Sequence, residues 1–244
     1  MNTISKLTAL TLLIALIFTG CEKDPLQPDN NALKLHTVAD NLGMTYPFNS
    51  FVYDEDDLLV QILDNNGNLK YALEYNEDKK LVGANLYERN GELEREKSIT
   101  WNGNAFTITY IEIGGSTEPL IETYELDSEG RIINYNGESV VWDSDESLTL
   151  DGEYILTFDK EYHHPLSGVN IAVLIATEDR TYFPDYYFLD NTYLPLKVDW
   201  SDGYFENYLY EFNDDGYPNK LTWYSGKEGD QYVEEYYFFE YESD

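Results

Sequence analysis

The sequence predicts an all-β protein, an antiparallel meander of about 12–16 strands curved into a barrel-like or rolled sheet. Short runs alternate apolar and Thr side chains with a period of two, as in Phe106–Tyr110, which is the pattern of a half-buried strand. Aromatic and β-branched residues dominate these runs, and the chain holds 23 Tyr, 11 Phe and 4 Trp. Turn sequences recur at a spacing of about 12 residues, the length of one strand plus one turn. The same pattern leaves a long open twisted sheet or a two-layer β-sandwich as alternatives.

Residues 1–20 have the parts of an export signal. Lys6 is followed by the apolar run Leu10–Phe18, which is too short for a comfortable membrane span. The segment Ile17–Cys21 resembles a bacterial lipobox, and that resemblance implies cleavage before Cys21 and lipidation of its thiol. Cys21 is the only cysteine, so an internal disulfide is excluded and a thioether to lipid is the favoured use of the thiol.

The segment 21–45 is predicted to be the lipidated N-terminus and a flexible tether, because it opens with a polar stretch that contains Pro25 and Pro28. Within it, residues 32–44 are too short to distinguish a helix from an extended lead-in. Residues 46–244 are predicted to form a single acidic, Tyr-rich β domain.

Strands are predicted wherever the period of two recurs, and no segment after residue 45 shows a sustained helical period. Both faces of Tyr204–Phe212 mix aromatic and polar side chains. Because Tyr can bury its ring while its hydroxyl meets water, a Tyr-lined, partly hydrated barrel fits better than a dry sandwich. The main predicted strands are Leu58–Leu63, Leu69–Tyr75, Leu81–Tyr87, Phe106–Tyr110, Ile121–Leu126, Tyr154–Phe158, Ile171–Ile175, Tyr204–Phe212 and Tyr232–Tyr241.

The turns between strands share one form: an Asx or acidic start, Gly at the fourth position and an apolar residue where the next strand begins. Gly supplies the positive φ that a tight turn requires, and the Asx side chain caps the turn. In one turn Lys79 takes the place of Gly. The turns are Asp64–Leu69, Asn76–Leu81, Glu88–Leu93, Asp127–Ile132 and Asn213–Pro218.

These turns, with the aromatic residues that accompany them, look like the tyrosine-aspartate (YD or RHS-type) repeats of bacterial surface proteins. They cover residues 54–93, 123–135 and 204–221. Together with the lipobox and the tether, they resemble a group of uncharacterised lipoproteins of gut-type Gram-negative bacteria. The resemblance implies a rolled, barrel-like meander at the cell envelope, and it supplies no catalytic residues.

The charge of the chain is strongly one-sided, with 15 Lys and Arg against 47 Asp and Glu. Without Lys6 the balance is −33, which repels nucleic acid and excludes it as a partner. Clusters of Asp and Glu, whose oxygens are the ligands that Ca²⁺ prefers, occur in two places. Neither cluster matches the twelve-residue calcium loop, so we favour the interpretation that these acids are solvated turn residues, and a cofactor is not expected. The weak calcium candidates are Asp54, Asp56, Asp57, Asp143 and Asp145.

Aromatic and imidazole side chains give the remaining candidates. Exposed Trp beside carboxylates and amides is what sugar recognition uses, although packing in the core is the favoured alternative for each Trp. The adjacent residues His163 and His164 are expected to form an exposed loop pair, and no metalloprotease or nucleophile motif is present. The candidate ligand-stacking residues are Trp101, Trp142, Trp200 and Trp223.

The predicted function is therefore that of a non-enzymatic binding or structural module. Its predicted partners are the lipid bilayer, through acylated Cys21, and a glycan or a protein. It is predicted to be exported and attached to the outer membrane, at the periplasmic face or the cell surface. A glycan-active hydrolase with an unrecognised carboxylate pair and an accessory subunit that docks by β-strand addition are the alternatives.

Overall fold

A computed structural model describes residues 33–40, 49–115, 118–144, 147–150, 154–162, 164–177 and 193–242. The predicted signal peptide, Cys21, His163 and Asp145 lie outside the described residues.

The described residues form sixteen strands and one short helix. Consecutive strands pair antiparallel, and the first strand pairs with the last, so the sheet is a closed barrel. This confirms the predicted all-β meander and excludes the open sheet and the sandwich. The elements are β1 Lys34–Asp40, β2 Asn49–Tyr53, β3 Leu59–Asp64, β4 Leu69–Tyr75, β5 Leu81–Tyr87, β6 Leu93–Asn102, β7 Ala105–Glu112, β8 Leu120–Leu126, β9 Ile132–Tyr135, β10 Glu138–Ser144, β11 Ser147–Leu150, β12 Tyr154–Asp159, α1 Ile171–Thr177, β13 Leu194–Trp200, β14 Tyr204–Phe212, β15 Pro218–Lys227 and β16 Asp230–Glu242.

Strand β1 closes the barrel. It lies within the segment 21–45, and it pairs with β16 from Lys34 opposite Glu242 to Asp40 opposite Tyr237. On its other side it pairs with β2 through Thr37 and Val38. Every described strand thus has a neighbour on both sides. The described strands therefore present no open edge to which a partner could add a β-strand.

Side chains alternate between the inside and the outside of the barrel, as the period of two requires. On β14, Glu206 and Tyr208 point inward and are buried, whereas Leu209 points outward and is 58% exposed. The inward side chains of all parts of the barrel form one apolar core. Large, fully buried members include Tyr208, Tyr237, Phe106, Ile108, Leu148 and Leu156.

The helix α1 corrects the prediction of a strand over Ile171–Ile175. Six of its seven residues are buried in the core that the strands enclose. Because a run that is apolar on every side has no informative period, its sequence cannot distinguish a buried helix from a buried strand. Asn170 caps its start, since its side-chain oxygen accepts the N–H of Ala172 at 2.9 Å.

The segment before α1 is buried as well, which corrects the expectation of an exposed histidine pair. His164 is 0% exposed, next to buried Pro165 and Leu166. Its Nδ1 accepts the N–H of Leu166 at 3.0 Å. Burial disfavours the charged imidazolium and lowers the pKa of His164 to about 3.

The repeated turns have the predicted chemistry. In the Asp64 turn, one carboxylate oxygen accepts the N–H groups of Asn66 and Asn68, each at 2.8 Å. The fourth residue, Gly67, has φ 77°, and Lys79 takes the same left-handed conformation at φ 58°. Burial alone would raise the pKa of the Asp64 carboxyl, but the hydrogen bonds from Asn68 and Asn66 outweigh it and hold that pKa below its ordinary value.

Replacing Asp64 by Ala is expected to lower the free energy of unfolding by about 1–2 kcal/mol, because two turn N–H groups lose their acceptor. The turn that starts at Glu88 provides a matched control. There the N–H of Glu92 is accepted by Asn90, so Glu88→Ala is expected to stay within about 0.5 kcal/mol of the wild type. Urea-induced unfolding, followed by circular dichroism, measures the free energy of unfolding of both variants. An equal loss of stability in Asp64→Ala and Glu88→Ala would contradict the capping role of Asp64.

Candidate binding surface

The interior of the barrel contains a polar cluster around Glu122 on β8. Its carboxylate accepts the hydroxyls of Tyr110 at 2.6 Å, Tyr124 at 2.8 Å and Tyr135 at 3.5 Å. Tyr110 and Tyr124 are 5% and 3% exposed. The cluster therefore satisfies buried hydroxyls inside the core and holds three strands in place.

A second interior contact ties the helix to the sheet. Lys97 on β6 is 1% exposed, and its ammonium donates to the carbonyl of Ala176 in the last turn of α1. The ammonium also lies 4.8 Å from the ring centre of Tyr110 and 5.9 Å from that of Tyr71. A cation at a helix C-terminus and over aromatic rings is favourable, so Lys97 holds α1 inside the barrel.

The hydrolase alternative requires a pair of neighbouring carboxylates, so the positions of the carboxylates inside the barrel are relevant to it. Glu206 accepts the hydroxyl of Tyr208 at 2.6 Å and is 9% exposed. It lies on β14 and Glu122 lies on β8, which are not neighbouring strands. Each of these two acids is thus engaged with tyrosine in the packed interior.

Two of the four tryptophans donate to the backbone at the start of the preceding strand. Trp101 Nε1 donates to the carbonyl of Leu81 at 2.8 Å, and Trp142 Nε1 donates to that of Ile132 at 3.0 Å. Both acceptors are the sixth residue of a repeated turn. Tyr75 and Tyr241 make the same contact, to Leu59 at 2.6 Å and to Pro218 at 2.8 Å. An aromatic donor thus closes each of these turns, and burial of Tyr75 raises its pKa.

The faces of these two Trp rings are in contact with other side chains. The Trp101 ring lies 4.8 Å from that of Phe106, and the ammonium of Lys80 lies 4.8 Å from the ring centre. The Trp142 ring packs against Phe158 at 5.6 Å and beneath the guanidinium of Arg131 at 4.8 Å. These contacts explain both residues as parts of the barrel.

The other two tryptophans also pack against the core. Trp200 meets Tyr154 edge to face at 4.4 Å, and Trp223 lies opposite buried Tyr208. The four tryptophans stand on β6, β10, β13 and β15, so the structure does not bring them together in one platform. A role of these residues in ligand stacking stays a prediction.

The calcium candidates lie in turns and at a strand end. Asp54 caps its own turn by accepting the N–H groups of Asp56 and Leu58 at 2.9 Å. Asp57 pairs with Lys34 at 2.6 Å, and Asp56 pairs with Lys79 at 3.2 Å.

On β10, Asp143 accepts the hydroxyl of Thr149 at 2.7 Å. Within the described ranges, no group of three His, Cys, Asp or Glu side chains is arranged to hold a metal ion.

The ion pairs of Asp56 and Asp57 join neighbouring elements at one end of the barrel, which we call the N-terminal rim. It comprises the start of β1 and the turns 54–58, 76–80, 127–131 and 213–217. Leu33 lies there too, because its N–H donates to the hydroxyl of Tyr217 at 3.2 Å. The described part of the chain therefore begins at this rim.

An apolar, aromatic area lies on the outside of β14–β16, and we call it the outer aromatic face. It is defined by Phe205, Leu209, Tyr224, Tyr236 and Phe238. The strand register makes it continuous: Leu209 is opposite Thr222, which is opposite Tyr236. Leu209 is 58% and Phe238 36% exposed, whereas Thr222 between the strands is only 7% exposed.

Two lysines border this face, and each is paired with an acid. Lys197 lies 5.6 Å from the ring centre of Phe205 and pairs with Asp199 at 2.6 Å. Lys220 lies 5.7 Å from the ring centre of Tyr236 and pairs with Glu211. The hydrogen bond to that carboxylate raises the pKa of the Lys220 ammonium. Each bordering lysine is thus paired with an acid, and Glu240, which is exposed on the same side of β16 as Phe238, adds a further negative charge.

Sequence reasoning did not identify this face. The sequence of β14 shows aromatic and polar side chains on both of its faces, but one strand alone does not show which face points out of the barrel. The signal that could have found it is the alternation on β16, where Tyr236 and Phe238 alternate with Tyr237 and Phe239. Such a strand is aromatic on both sides, and a barrel can bury only one of them.

No helix of the described residues has both the length and the apolar character needed to cross a bilayer.

Comparison with known proteins gives similarity at the level of solved structures. No protein-family model matches the chain, and no curated protein matches it. A porin-like protein from Bacteroides uniformis ATCC 8492 is similar with a TM-score of 0.48 and 11% identity, over 89% of this chain and 99% of that one. A porin-like protein from Bacteroides vulgatus ATCC 8482 is similar with a TM-score of 0.43 and 14% identity, over 86% of this chain and 99% of that one.

Proposed function

We propose that this protein is an envelope lipoprotein, attached to the outer membrane through acylated Cys21, whose barrel is a non-enzymatic binding module. The observation that carries the proposal is the combination of a packed interior with an apolar outer face. The core, α1 and the Glu122 cluster occupy the inside of the barrel. The outer surface is then where a ligand meets the protein.

The side chains on the outer surface also support the proposal that water, rather than lipid, surrounds the barrel. Charged and amide side chains point outward on β3, β5, β6, β13 and β14, where they are Gln61, Asn85, Glu96, Lys197 and Asn207. Such side chains on a lipid-facing surface are unfavourable. The tryptophans pack against the core inside the barrel.

The position of the N-terminal rim fits attachment by a short tether. Leu33 follows Cys21 by twelve positions, and a chain of that length reaches at most about 40 Å. The N-terminal rim would then face the bilayer, and the side of the barrel would face the surrounding water. The YD-like turns support a place on a bacterial envelope by resemblance.

Replacing Cys21 by Ala is expected to move the protein from the membrane fraction to the soluble fraction. Each buried methylene of an acyl chain contributes ~0.8 kcal/mol to membrane binding, so its loss removes the anchor. Fractionation by ultracentrifugation and incorporation of labelled palmitate measure the effect. Asn30→Ala, in the same segment, is the matched control and should stay lipidated and sedimenting with membranes. A Cys21→Ala protein that remained in the membrane fraction would show that the anchor is wrong.

A further inference from the structure

We infer that Asn102 is a modification site of the folded barrel, where the side-chain amide is lost by reaction with the backbone nitrogen of Gly103. The inference concerns a covalent reaction and is independent of the proposed function. The reaction requires a mobile Asn side chain and a free N–H on the residue that follows. The chain contains four Asn–Gly pairs, all at connections between strands: Asn66–Gly67, Asn90–Gly91, Asn102–Gly103 and Asn136–Gly137.

The reaction is an intramolecular acyl transfer. The backbone nitrogen of the residue after Asn loses its proton and attacks the side-chain Cγ, the Cγ–Nδ2 bond breaks, and the nitrogen leaves as ammonia. The product is a cyclic succinimide, and water then opens it at either carbonyl to give aspartate or isoaspartate. Glycine permits this attack because it has no Cβ beside the nucleophile. All four pairs therefore share the same local chemistry, and only the fold distinguishes them.

The Asn66–Gly67 pair is held by its turn. The N–H of Gly67 donates to the carbonyl of Asp64 at 2.9 Å, and the side-chain amide of Asn66 donates to Asn65 Oδ1 at 2.8 Å. The Gly nitrogen must give up its acceptor before it can react, and the Asn side chain must leave its own partner.

The Asn90–Gly91 pair is held more firmly. The N–H of Gly91 donates to the carbonyl of Glu88 at 2.8 Å. The amide of Asn90 donates to the carboxylates of Glu88 and Glu92, each at 3.2 Å, and its Oδ1 accepts the N–H of Glu92 at 2.8 Å. Both ends of this amide are thus fixed by hydrogen bonds.

The Asn136–Gly137 pair is restrained by side chains of the neighbouring strands. The N–H of Gly137 donates to Asn134 Oδ1 at 2.9 Å. Asn136 Oδ1 accepts the N–H of Thr123 at 2.8 Å. Here the acceptor of the Gly N–H is a side chain, so a single substitution can remove it.

The Asn102–Gly103 pair has none of these restraints. Both residues are exposed, and Gly103 has φ 63° at the tip of the hairpin that joins β6 and β7. Within the described ranges, the N–H of Gly103 meets no acceptor and the side-chain amide of Asn102 has no hydrogen-bond partner. A Cβ added at Gly103 would meet no atom within 4 Å, so the surroundings of the tip leave room for the succinimide ring.

The hairpin tip lies at the N-terminal rim, next to two of its turns. The ammonium of Lys80 lies 4.8 Å from the ring centre of Trp101, and the carbonyl of Asn104 accepts the N–H of Leu126 at 2.9 Å. Conversion of Asn102 adds a negative charge at this place, and the isoaspartate product also adds a methylene to the main chain. The modified tip therefore differs from the original one in charge and in backbone length.

The test incubates the full chain in detergent micelles at mildly alkaline pH and follows each Asn–Gly pair by peptide mapping with mass spectrometry. Asn102 is expected to convert at least about tenfold faster than the other three Asn residues, because each of those pairs must first break a hydrogen bond. The same incubation in guanidinium chloride removes the fold, and there all four are expected to convert at similar rates. Labelling by an isoaspartate methyltransferase measures the isoaspartate product separately.

The variant Asn134→Ala tests the physical cause. It removes the acceptor of the Gly137 N–H, so Asn136 is expected to convert about threefold to tenfold faster than in the wild type. Asn207→Ala removes an outward amide on β14 and is the matched control, which is expected to leave all four rates unchanged. Unchanged melting temperatures show that both variants are folded.

Three results would overturn the inference. The first is a folded chain in which another Asn–Gly pair converts as fast as Asn102. The second is an Asn102 that converts in guanidinium chloride but stays intact in the folded chain. The third is a rate at Asn136 that Asn134→Ala leaves unchanged, which would show that the hydrogen bond of the Gly N–H does not control the reaction.

Discussion

Replacing Glu122 by Leu is expected to lower the free energy of unfolding by about 2–4 kcal/mol, because buried hydroxyl donors lose their acceptor at a cost of about 1–3 kcal/mol each. The donors that matter most are Tyr110 and Tyr124, which are almost fully buried and make the shortest contacts with the carboxylate. Leu fills much of the space but accepts no hydrogen bond. The loss therefore comes from polar groups rather than from a cavity.

Two controls separate this effect from a general response to substitution. Glu122→Gln keeps one acceptor oxygen and is expected to lose about half as much. Glu125→Leu changes an exposed, outward residue on the same strand and is expected to stay within about 0.5 kcal/mol of the wild type. Equilibrium unfolding in guanidinium chloride measures all three. Equal stability of Glu122→Leu and the wild type would mean that the tyrosine hydroxyls find other partners.

Acidification from pH 7.5 to pH 4.5 is expected to cost about 2–3 kcal/mol of stability through His164 alone. The unfolded chain takes up a proton near the ordinary pKa of 6.5, whereas burial lowers the pKa in the folded chain to about 3. Between these values the unfolded state holds the extra proton, so stability falls as the pH falls. The full contribution is present above pH 6.5, about half of it is lost by pH 4.5, and the rest is lost as the pH falls to about 3.

The variant His164→Asn isolates this effect. Asn keeps an oxygen that can accept the N–H of Leu166, but it does not titrate. The difference in unfolding free energy between wild type and variant is expected to change by about 2–3 kcal/mol across this pH range. Asp64 and Asp127 have pKa values lowered below 3.8, so their titration lies below the window and affects both proteins alike. A difference that stayed constant with pH would show that His164 is protonated in the folded chain.

Local chemistry is what the sequence revealed most fully. The strands and turns were predictable because an Asx side chain, a residue with positive φ and a period of two act within a few residues. Even the exception, Lys79, takes the conformation that its position in the turn requires. The barrel follows from many such hairpins in succession.

Features that depend on distant partners were not predictable. The run Ile171–Ile175 is apolar on every side, so only the surrounding barrel decides that it is a helix. Trp101 and Trp142 stand beside polar residues in the sequence, yet their N–H groups meet carbonyls on the adjoining strand. The outer aromatic face needed the register of β14–β16, which assigns each side chain to the inside or the outside.

The pairing of β1 with β16 has a consequence for the order of assembly. The other described strand pairs join neighbours along the chain, and most of them can form as local hairpins with little loss of loop entropy. The pair of β12 and β13 is the longer exception, because α1 lies between these two strands in the chain. The β1–β16 pair joins segments about 200 residues apart, and such distant contacts form late in folding. The strand nearest the proposed lipid anchor emerges first during export but finds its partner last. Until β16 arrives, the growing sheet has two open edges, and the envelope must keep them apart from other chains.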